Sequence, residues 1–137
     1  MITWNNLDTL TSFKELENVE RVDLVKAMAG ENGAERVKNY SVPMAEGLTY
    51  NYAAKQVDDK VLAALAKLAD EAQLTEKFEA LYNGEVINTG EKRLVLHHMT
   101  RGQLGEAVEA DGVDKRTFYT EQQAKIADFA NKVHAGE

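Results

Sequence analysis

An apolar repeat in the middle of the chain places the strongest constraint on the fold. Between residues 58 and 73, apolar side chains recur at the spacing of one face of an α-helix. The members of this stripe are Val61, Leu62, Leu65, Leu68, Ala69 and Ala72. Asp58 and Asp59 stand at its start, where a carboxylate can accept hydrogen bonds from free backbone amides. The pattern predicts a helix over residues 58–73 that turns this stripe towards a core.

A second, shorter helix is predicted over residues 75–82. One face of it carries Phe78, Leu81 and Tyr82. Asn83-Gly84 follows at once, and both residues tolerate the left-handed conformation that commonly ends a helix. We therefore expect a turn directly after Tyr82.

The third clear helical signal lies near the C-terminus, over about residues 121–134. Thr120 and Gln123 are spaced as in a capping box, and Gly136 marks the expected end. The apolar stripe of this segment comprises Ile126, Phe129, Ala130 and Val133. The spacing places these side chains on one face of the helix.

Signals in the first 40 residues are weaker. One or two helical turns are indicated by Leu7, Leu10 and Phe13. Asp23 precedes a short apolar stretch (Leu24, Val25 and Met28) and is placed to cap a helix that Gly30 and Asn32-Gly33 would break. A further short helix is expected over residues 34–39.

The remaining segments have no clear period. Residues 84–101 contain two short apolar pieces that suit extended strands or turns, and residues 108–113 contain Asp111-Gly112, a typical hairpin turn. These strands are too short and too few for a sheet-based core. We therefore expect a mainly α fold, an irregular helical domain with connecting loops and at most short strands, forming one segment over residues 1–137.

Composition excludes several classes of protein. The chain has 137 residues, a formal net charge of -7 and no cysteine. An acidic chain repels nucleic acid and anionic membranes, so we expect neither as a partner. The absence of cysteine excludes disulfides, thiolate metal sites and cysteine nucleophiles. The sequence also lacks the pattern of a signal peptide or a membrane span, which makes the cytoplasm the expected compartment.

Two adjacent histidines, His97 and His98, are the most conspicuous candidate ligands. Neighbouring residues point in different directions on a helix or a strand, so the two imidazoles are poorly placed to share one metal ion. The chain also lacks the other ligands of a zinc site. We expect one histidine to be hydrogen-bonded in the interior and the other to be exposed, with no metal bound.

Three acidic residues, Glu85, Glu91 and Glu106, are candidates for an acid/base pair. Paired carboxylates are recognised by their geometry and shifted pKa values rather than by spacing, and exposed acidic residues are common. Surface positions are therefore the simpler interpretation. His134 suits the negative end of its predicted helix, which explains it without a catalytic role.

The glycines of Arg101-Gly102-Gln103-Leu104-Gly105 have the look of part of a phosphate-binding loop. Such a loop requires a preceding strand, more glycines, and a lysine or hydroxyl at a fixed distance. These features are missing, and a turn is the better interpretation. Reasoning from the residues alone thus assigns no catalytic, cofactor-binding or metal-binding residue to the chain.

A long motif nevertheless resembles a known enzyme family. The stretch Leu74–Arg101 reads LTEKFEALYNGEVINTGEKRLVLHHMTR. It is similar to the segment of glucose-6-phosphate isomerases in which a helix ends in F-x-G-E-x-I-N and is followed by T-E-x-R and A-V-L-H-x-A-L-R. The matching residues are Gly84, Glu85, Ile87, Asn88, Thr89, Arg93, Val95, Leu96, His97 and Arg101.

The resemblance extends over roughly residues 45–137. Residues 65–72 stand where the family has an L-L-x-L-A-x-E-A run, and the end of the chain stands where it has a helix ending F-x-x-x-V-x-x-G. Two departures are visible. The family's A-L-R-N-R is Met99-Thr100-Arg101-Gly102-Gln103, and Gly90 replaces the acidic residue after Thr89.

The resemblance implies the N-terminal part of an α/β sugar-isomerase enzyme. That enzyme interconverts glucose 6-phosphate and fructose 6-phosphate as a homodimer, through ring opening and a cis-enediol, without metal or organic cofactor. Its phosphate site begins with a glycine-rich G-I-G-G-S-x-L-G turn, which we expect to follow residue 137. No catalytic residue of the family then falls on this chain, and the chain alone is expected to be inactive.

The family's motif suggests a packing role for residues 84–101. We expect Asn88, Thr89 and Arg93 to satisfy backbone groups of an irregular segment, and Arg93 or Arg101 to pair with buried carboxylates. The alternative to a segment of an isomerase is a free-standing, non-catalytic helical interaction module.

Overall fold

A computed structural model of the protein describes residues 1–102 and 105–136. The chain packs as two compact units, which we describe separately. The N-terminal unit is Asn5–Ala72, and the C-terminal unit is Gln73–Glu137 together with Met1–Trp4.

The N-terminal unit contains four helices and one hairpin. The helices are α1 (Thr11–Glu17), α2 (Leu24–Ala27), α3 (Gly30–Asn39) and α4 (Asp59–Glu71). The hairpin pairs β1 (Ser41–Pro43) with β2 (Thr49–Asn51) in antiparallel register. Short 3₁₀ turns at Leu7–Thr9 and Ala45–Gly47 complete the unit.

Helix α4 confirms the strongest prediction from the sequence. The Asp58 carboxylate accepts a hydrogen bond from the Val61 amide at 2.9 Å, so the predicted cap is in place. The predicted stripe, however, is only partly covered, because Leu65 is exposed and the buried positions are Ala64 and Ala72. Small side chains at those positions let helix α1 pack closely on α4.

Helix α1 is capped by a residue of α4. Its own N-cap residue, Leu10, supplies no side-chain oxygen. The Glu71 carboxylate instead accepts hydrogen bonds from the Thr11 amide (3.2 Å), the Ser12 amide (2.8 Å) and the Ser12 hydroxyl. A carboxylate at this end of a helix also meets the positive end of the helix dipole.

The predicted break at Asn32-Gly33 is wrong. Asp23 caps α2 through the Lys26 amide, as predicted, but α3 begins at Gly30 and runs through both residues. The glycine serves a local contact: the backbone of Met28, just before α3, lies so close to Gly33 that a Cβ atom there would overlap the Met28 carbonyl oxygen. Close approach, rather than helix breaking, explains this glycine. The short helix expected over residues 34–39 lies within α3.

The C-terminal unit contains two helices and two hairpins. Helix α5 is Leu74–Tyr82 and helix α6 is Lys115–Ala135. The hairpins pair β3 (Val86–Asn88) with β4 (Arg93–Leu94), and β5 (Glu109–Ala110) with β6 (Val113–Asp114). A 3₁₀ turn, His97–Thr100, lies between them.

Two local predictions in this unit are confirmed. Helix α5 begins one residue before the predicted start and is followed by Gly84 with a positive φ of 74°. Asp111 and Gly112 both have positive φ, as a two-residue hairpin turn of the mirror-image kind requires. Phe78, on the apolar face of α5, is exposed.

The predicted start of the last helix is wrong. Helix α6 begins at Lys115, six residues early, because Asp114 caps it through the amides of Arg116 and Thr117. Thr120 therefore lies inside the helix, where its hydroxyl donates to the Arg116 carbonyl. The Gln123 side chain donates to the Thr100 carbonyl instead of completing a capping box. Gly136 ends the helix in the left-handed conformation, as predicted.

The fold class follows the prediction. Within the described residues, the regular secondary structure is helical apart from three separate two-stranded antiparallel hairpins. In the same part of the chain, no helix combines the length and the apolar character needed to cross a membrane.

Candidate functional site

The most buried polar cluster of the C-terminal unit surrounds Arg116. This side chain is only 6 % exposed. Its guanidinium donates to two backbone carbonyl oxygens, through Nε to Glu106 and through Nη2 to Tyr82 at 2.9 Å, and lies 5.5 Å from the centre of the Tyr82 ring. We call Arg116, Tyr82, His98 and the fully buried Met99 the Arg116 cluster.

The position of Arg116 is unusual for a cation. It is the second residue of α6, where the helix dipole disfavours positive charge. The Asp114 carboxylate at the cap and the two carbonyl oxygens offset that cost, since a planar guanidinium can donate in several directions at once. The two hydrogen bonds of the Arg116 guanidinium therefore connect the beginning of α6 to the end of α5 and to the loop before β5.

His98 behaves as the sequence predicted. Its ring stacks on Tyr82 with ring centres 4.7 Å apart, and its Nε2 lies 3.1 Å from the Tyr82 carbonyl oxygen, while His97 is exposed. Because a carbonyl oxygen only accepts, Nε2 carries the hydrogen of this bond. The Nδ1 atom of His98 and the Nη1 atom of Arg116 are buried without a hydrogen-bond partner.

Two glycines allow the cluster to close. A Cβ atom at Gly105 would lie 2.9 Å from Nη2 of Arg116, and one at Gly84 would overlap a methyl group of Val108. Both glycines also have positive φ, at 97° and 74°. The motif residue Gly84 thus serves close packing as well as the turn.

The three candidate acid/base residues lie on the surface. Glu85, Glu91 and Glu106 are all exposed. Glu91 accepts a hydrogen bond from the Asn88 side chain at 3.2 Å, and Glu106 contributes its backbone carbonyl, not its carboxylate, to the Arg116 cluster. The structure therefore gives none of the three a buried, tuned environment of the kind that acid/base catalysis uses.

The predicted pairing of Arg93 or Arg101 with buried carboxylates is wrong. Both residues are exposed, and the ion pair of Arg93 with Glu91, at 3.7 Å, lies in solvent. Asn88 does satisfy a backbone group, since its side-chain oxygen accepts from the Glu91 amide. The buried arginines are instead Arg36 and Arg116, and both bind backbone carbonyls.

Arg36 plays the corresponding part in the N-terminal unit. Its Nε donates to the Ala53 carbonyl at 2.7 Å, and its Nη2 donates to the carbonyls of Lys55 (2.9 Å) and Val57 (2.6 Å). The guanidinium lies 4.3 Å from the centre of the Tyr40 ring. No apolar period points to a buried arginine, so neither residue was foreseen. The available signal was a cation in the first turn of a helix, at Arg116.

The shifted pKa values belong to structural groups. The Ser12 hydroxyl and amide lower the pKa of Glu71, and the Thr117 hydroxyl, followed by the Arg116 amide, lowers the pKa of Asp114. Burial and a hydrogen bond to Asp59 raise the pKa of Tyr40. A carboxylate with a lowered pKa stays ionised at neutral pH, which suits a helix cap and does not suit a general acid.

The N-terminal unit has one open apolar groove of about 340 Å³. Its walls include Val42, Tyr50, Tyr52 and Leu65, with Lys55 at the edge. A ligand site normally combines an apolar lining with a few converging polar groups. Among the described residues, Lys55 is the one charged side chain that lines this groove. The groove therefore lacks the converging polar groups of a catalytic or ligand-binding site.

Among residues 1–102 and 105–136, no three histidine, aspartate or glutamate side chains are grouped so as to hold a metal ion. In the glycine-containing stretch Arg101-Gly102-Gln103-Leu104-Gly105, Gln103 and Leu104 lie outside the described residues. Gly102 and Gly105 both have positive φ.

Comparisons with known proteins point in one direction. A family model described as phosphoglucose isomerase matches residues 51–137. The glucose-6-phosphate isomerase of Treponema denticola is 50 % identical over 98 % of this chain and 26 % of that relative. The corresponding enzymes of Borrelia garinii and Treponema pallidum strain Nichols are 41 % and 40 % identical over 99 % and 98 % of this chain. The chain spans about a quarter of the length of these curated relatives.

Proposed function

The chain belongs to the phosphoglucose isomerase family, and from this membership we propose that it is the N-terminal part of a glucose-6-phosphate isomerase. The observation that carries the proposal is the 50 % identity to the Treponema denticola enzyme over 98 % of the chain. The whole enzyme would interconvert glucose 6-phosphate and fructose 6-phosphate by moving a proton through a cis-enediol.

In this proposal the chain supplies scaffold and no catalytic residue. The family motif of residues 84–101 contributes His98 to the Arg116 cluster, whose polar groups bind backbone carbonyls of their own unit. The exposed carboxylates of Glu85, Glu91 and Glu106 lack the environment of a catalytic pair. The phosphate-binding and proton-transferring residues would lie elsewhere in the whole enzyme, which we place in the cytoplasm as a homodimer without metal or organic cofactor.

A coupled assay tests this proposal. The full-length protein and the 137-residue chain are each given fructose 6-phosphate, and glucose 6-phosphate is followed by its oxidation with a dehydrogenase. We expect turnover by the full-length protein and none above background by the chain. A full-length protein that does not act on fructose 6-phosphate, or a chain that does, would contradict the proposal.

A matched variant tests the scaffold role separately. Replacing Glu85, Glu91 and Glu106 together by glutamine in the full-length protein removes the candidate acid/base groups and preserves their size. We expect kcat to stay within about twofold, because surface substitutions of this kind have small effects. A large loss of kcat with an unchanged melting temperature would show that one of these carboxylates takes part in the reaction.

The free-standing interaction module remains the second candidate, because the last helix exposes an apolar face. The mass of the protein in its own cells separates the two functions. The isomerase predicts a polypeptide about four times the 15.2 kDa of this chain, since the chain covers 26 % of its relative. A cellular protein of 15.2 kDa would favour the module.

A further inference from the structure

The C-terminal half of α6 exposes the apolar stripe that its sequence dedicates to packing. Ile126, Phe129 and Val133 are 68 %, 70 % and 54 % exposed. They follow one another at intervals of three and four residues, so they lie on one face of the helix. An apolar face at this spacing normally packs against other parts of a protein, and here it lies in solvent.

The two halves of this helix are held very differently. Arg116 and Gln123 bind backbone carbonyls outside the helix, at Tyr82 and Thr100. Beyond Gln123, the one side-chain hydrogen bond of the described residues is internal, between Lys132 and Asp128 at 2.8 Å. Helical segments of about 12 residues are marginally stable in water, so this half needs tertiary contacts that its own unit does not supply.

The total exposed area indicates how large the missing cover is. The chain exposes 10,679 Å². Two separate compact bodies, each with half of the chain's mass, would together expose about 8,600 Å². The chain therefore exposes about 2,000 Å² more than compact packing predicts, however its two units are placed. A standard protein–protein contact covers about 800 Å² on each partner, which is less than half of that excess.

From these observations we infer that the stripe of Ile126, Phe129 and Val133 is a docking surface for a further domain of the same polypeptide. The inference rests on the proposed function, because the relatives carry about three-quarters of their length outside the part that this chain matches. A second copy of the chain fits less well, since a standard dimer contact leaves most of the excess area uncovered.

Covalent footprinting with a carbene reagent tests the docking surface on unaltered protein. In the 137-residue chain we expect strong labelling of Phe129 and Ile126. In the full-length protein we expect severalfold weaker labelling at both positions, with Trp4, which is exposed and precedes the first element of the chain, as an internal reference. Equal labelling of Phe129 in the two proteins would overturn the inference.

A pair of variants tests the same surface through stability. Phe129→Glu places a charge in the stripe, whereas Asn131→Glu places the same charge two residues along, on another face of α6. We expect Phe129→Glu to lower the melting temperature of the full-length protein and to leave that of the 137-residue chain unchanged, and Asn131→Glu to change neither. If Phe129→Glu leaves the full-length protein unchanged, or abolishes a dimer of the chain and does nothing else, the assignment is wrong.

Neither readout involves turnover, so the result is separable from the proposed function. A full-length protein that protects Phe129 but does not isomerise fructose 6-phosphate would support the docking surface and contradict the proposed isomerase function. An active enzyme that leaves Phe129 exposed would do the opposite.

Discussion

The two halves of helix α6 differ in what holds them. The N-terminal half is fixed to its own unit by a buried arginine, and Met99 nearby is completely buried. The C-terminal half carries the apolar stripe of Ile126, Phe129 and Val133 and leaves it in solvent. This difference shows that an apolar period predicts which face of a helix is buried. It does not predict which part of the protein packs against that face.

The largest expected effect concerns the anchored half. Arg116→Ala removes the side-chain donor to the Glu106 carbonyl and leaves His98 as the remaining side-chain donor to the Tyr82 carbonyl, and it should lower the free energy of unfolding by about 3 kcal/mol. Urea denaturation of the 137-residue chain, followed by circular dichroism, measures it. Arg116→Met keeps most of the apolar stem but has no N–H donors. It should therefore recover little of the free energy of unfolding that Arg116→Ala loses.

Arg93→Ala is the matched control. Arg93 is one of the two arginines expected to pair with buried carboxylates, yet it is exposed, so its removal should change stability by less than about 0.5 kcal/mol. If Arg93→Ala proves as harmful as Arg116→Ala, the contrast between the two arginines fails.

A smaller effect is expected where Gly84 meets Val108. Gly84→Ala combines an unfavourable positive φ with a clash against the buried Val108 side chain, and should cost about 2 kcal/mol. Gly112→Ala has nearly the same φ and open space around it, so it should cost only about 1 kcal/mol. Equal losses in thermal unfolding would show that the conformation, and not the contact, requires glycine at position 84.

These predictions also mark what the sequence could and could not supply. Helices α4 and α5 and the turn at Asp111-Gly112 rest on local signals, namely an apolar period, a capping carboxylate and residues that accept positive φ. The start of α6 was missed because Thr120 and Gln123 imitate a cap, while the real cap, Asp114, stands at the end of a hairpin.

Contacts that the periodicity does not encode explain the remaining errors. Gly33 allows the close approach of Met28, just before α3, and the burial of Arg116 depends on carbonyls 10 and 34 residues away in the chain. Neither contact leaves a periodic trace in the sequence. The absence of an acid/base pair within the chain was, by contrast, a prediction that only the assays described above can test.

The smallest expected effect is the acid sensitivity of the α6 cap. The Thr117 hydroxyl lowers the pKa of Asp114 in the folded protein. The ionised Asp114 cap therefore contributes fully to stability above the pKa of an unfolded aspartate, about 4. This contribution is lost as the pH falls through the lower pKa of Asp114 in the folded protein. Asp114→Asn keeps a good capping residue without a titrating group, so the variant should lose less stability on acidification.

Unfolding by urea from neutral pH down to about pH 2 measures this difference. Glu71, whose pKa is lowered by Ser12, supplies a similar dependence in the N-terminal unit, so the Asp114→Asn variant should retain part of the acid response. Identical pH profiles for the two proteins would exclude Asp114 as a source of it.

Hydrogen exchange along α6 tests the central contrast most directly. Peptide-resolved exchange compares residues 115–123 with residues 126–135 in the 137-residue chain and in the full-length protein. We predict that the chain protects the first segment and exchanges the second much faster, and that the full-length protein protects both. Equal protection of the two segments in the chain alone would contradict this account of the helix.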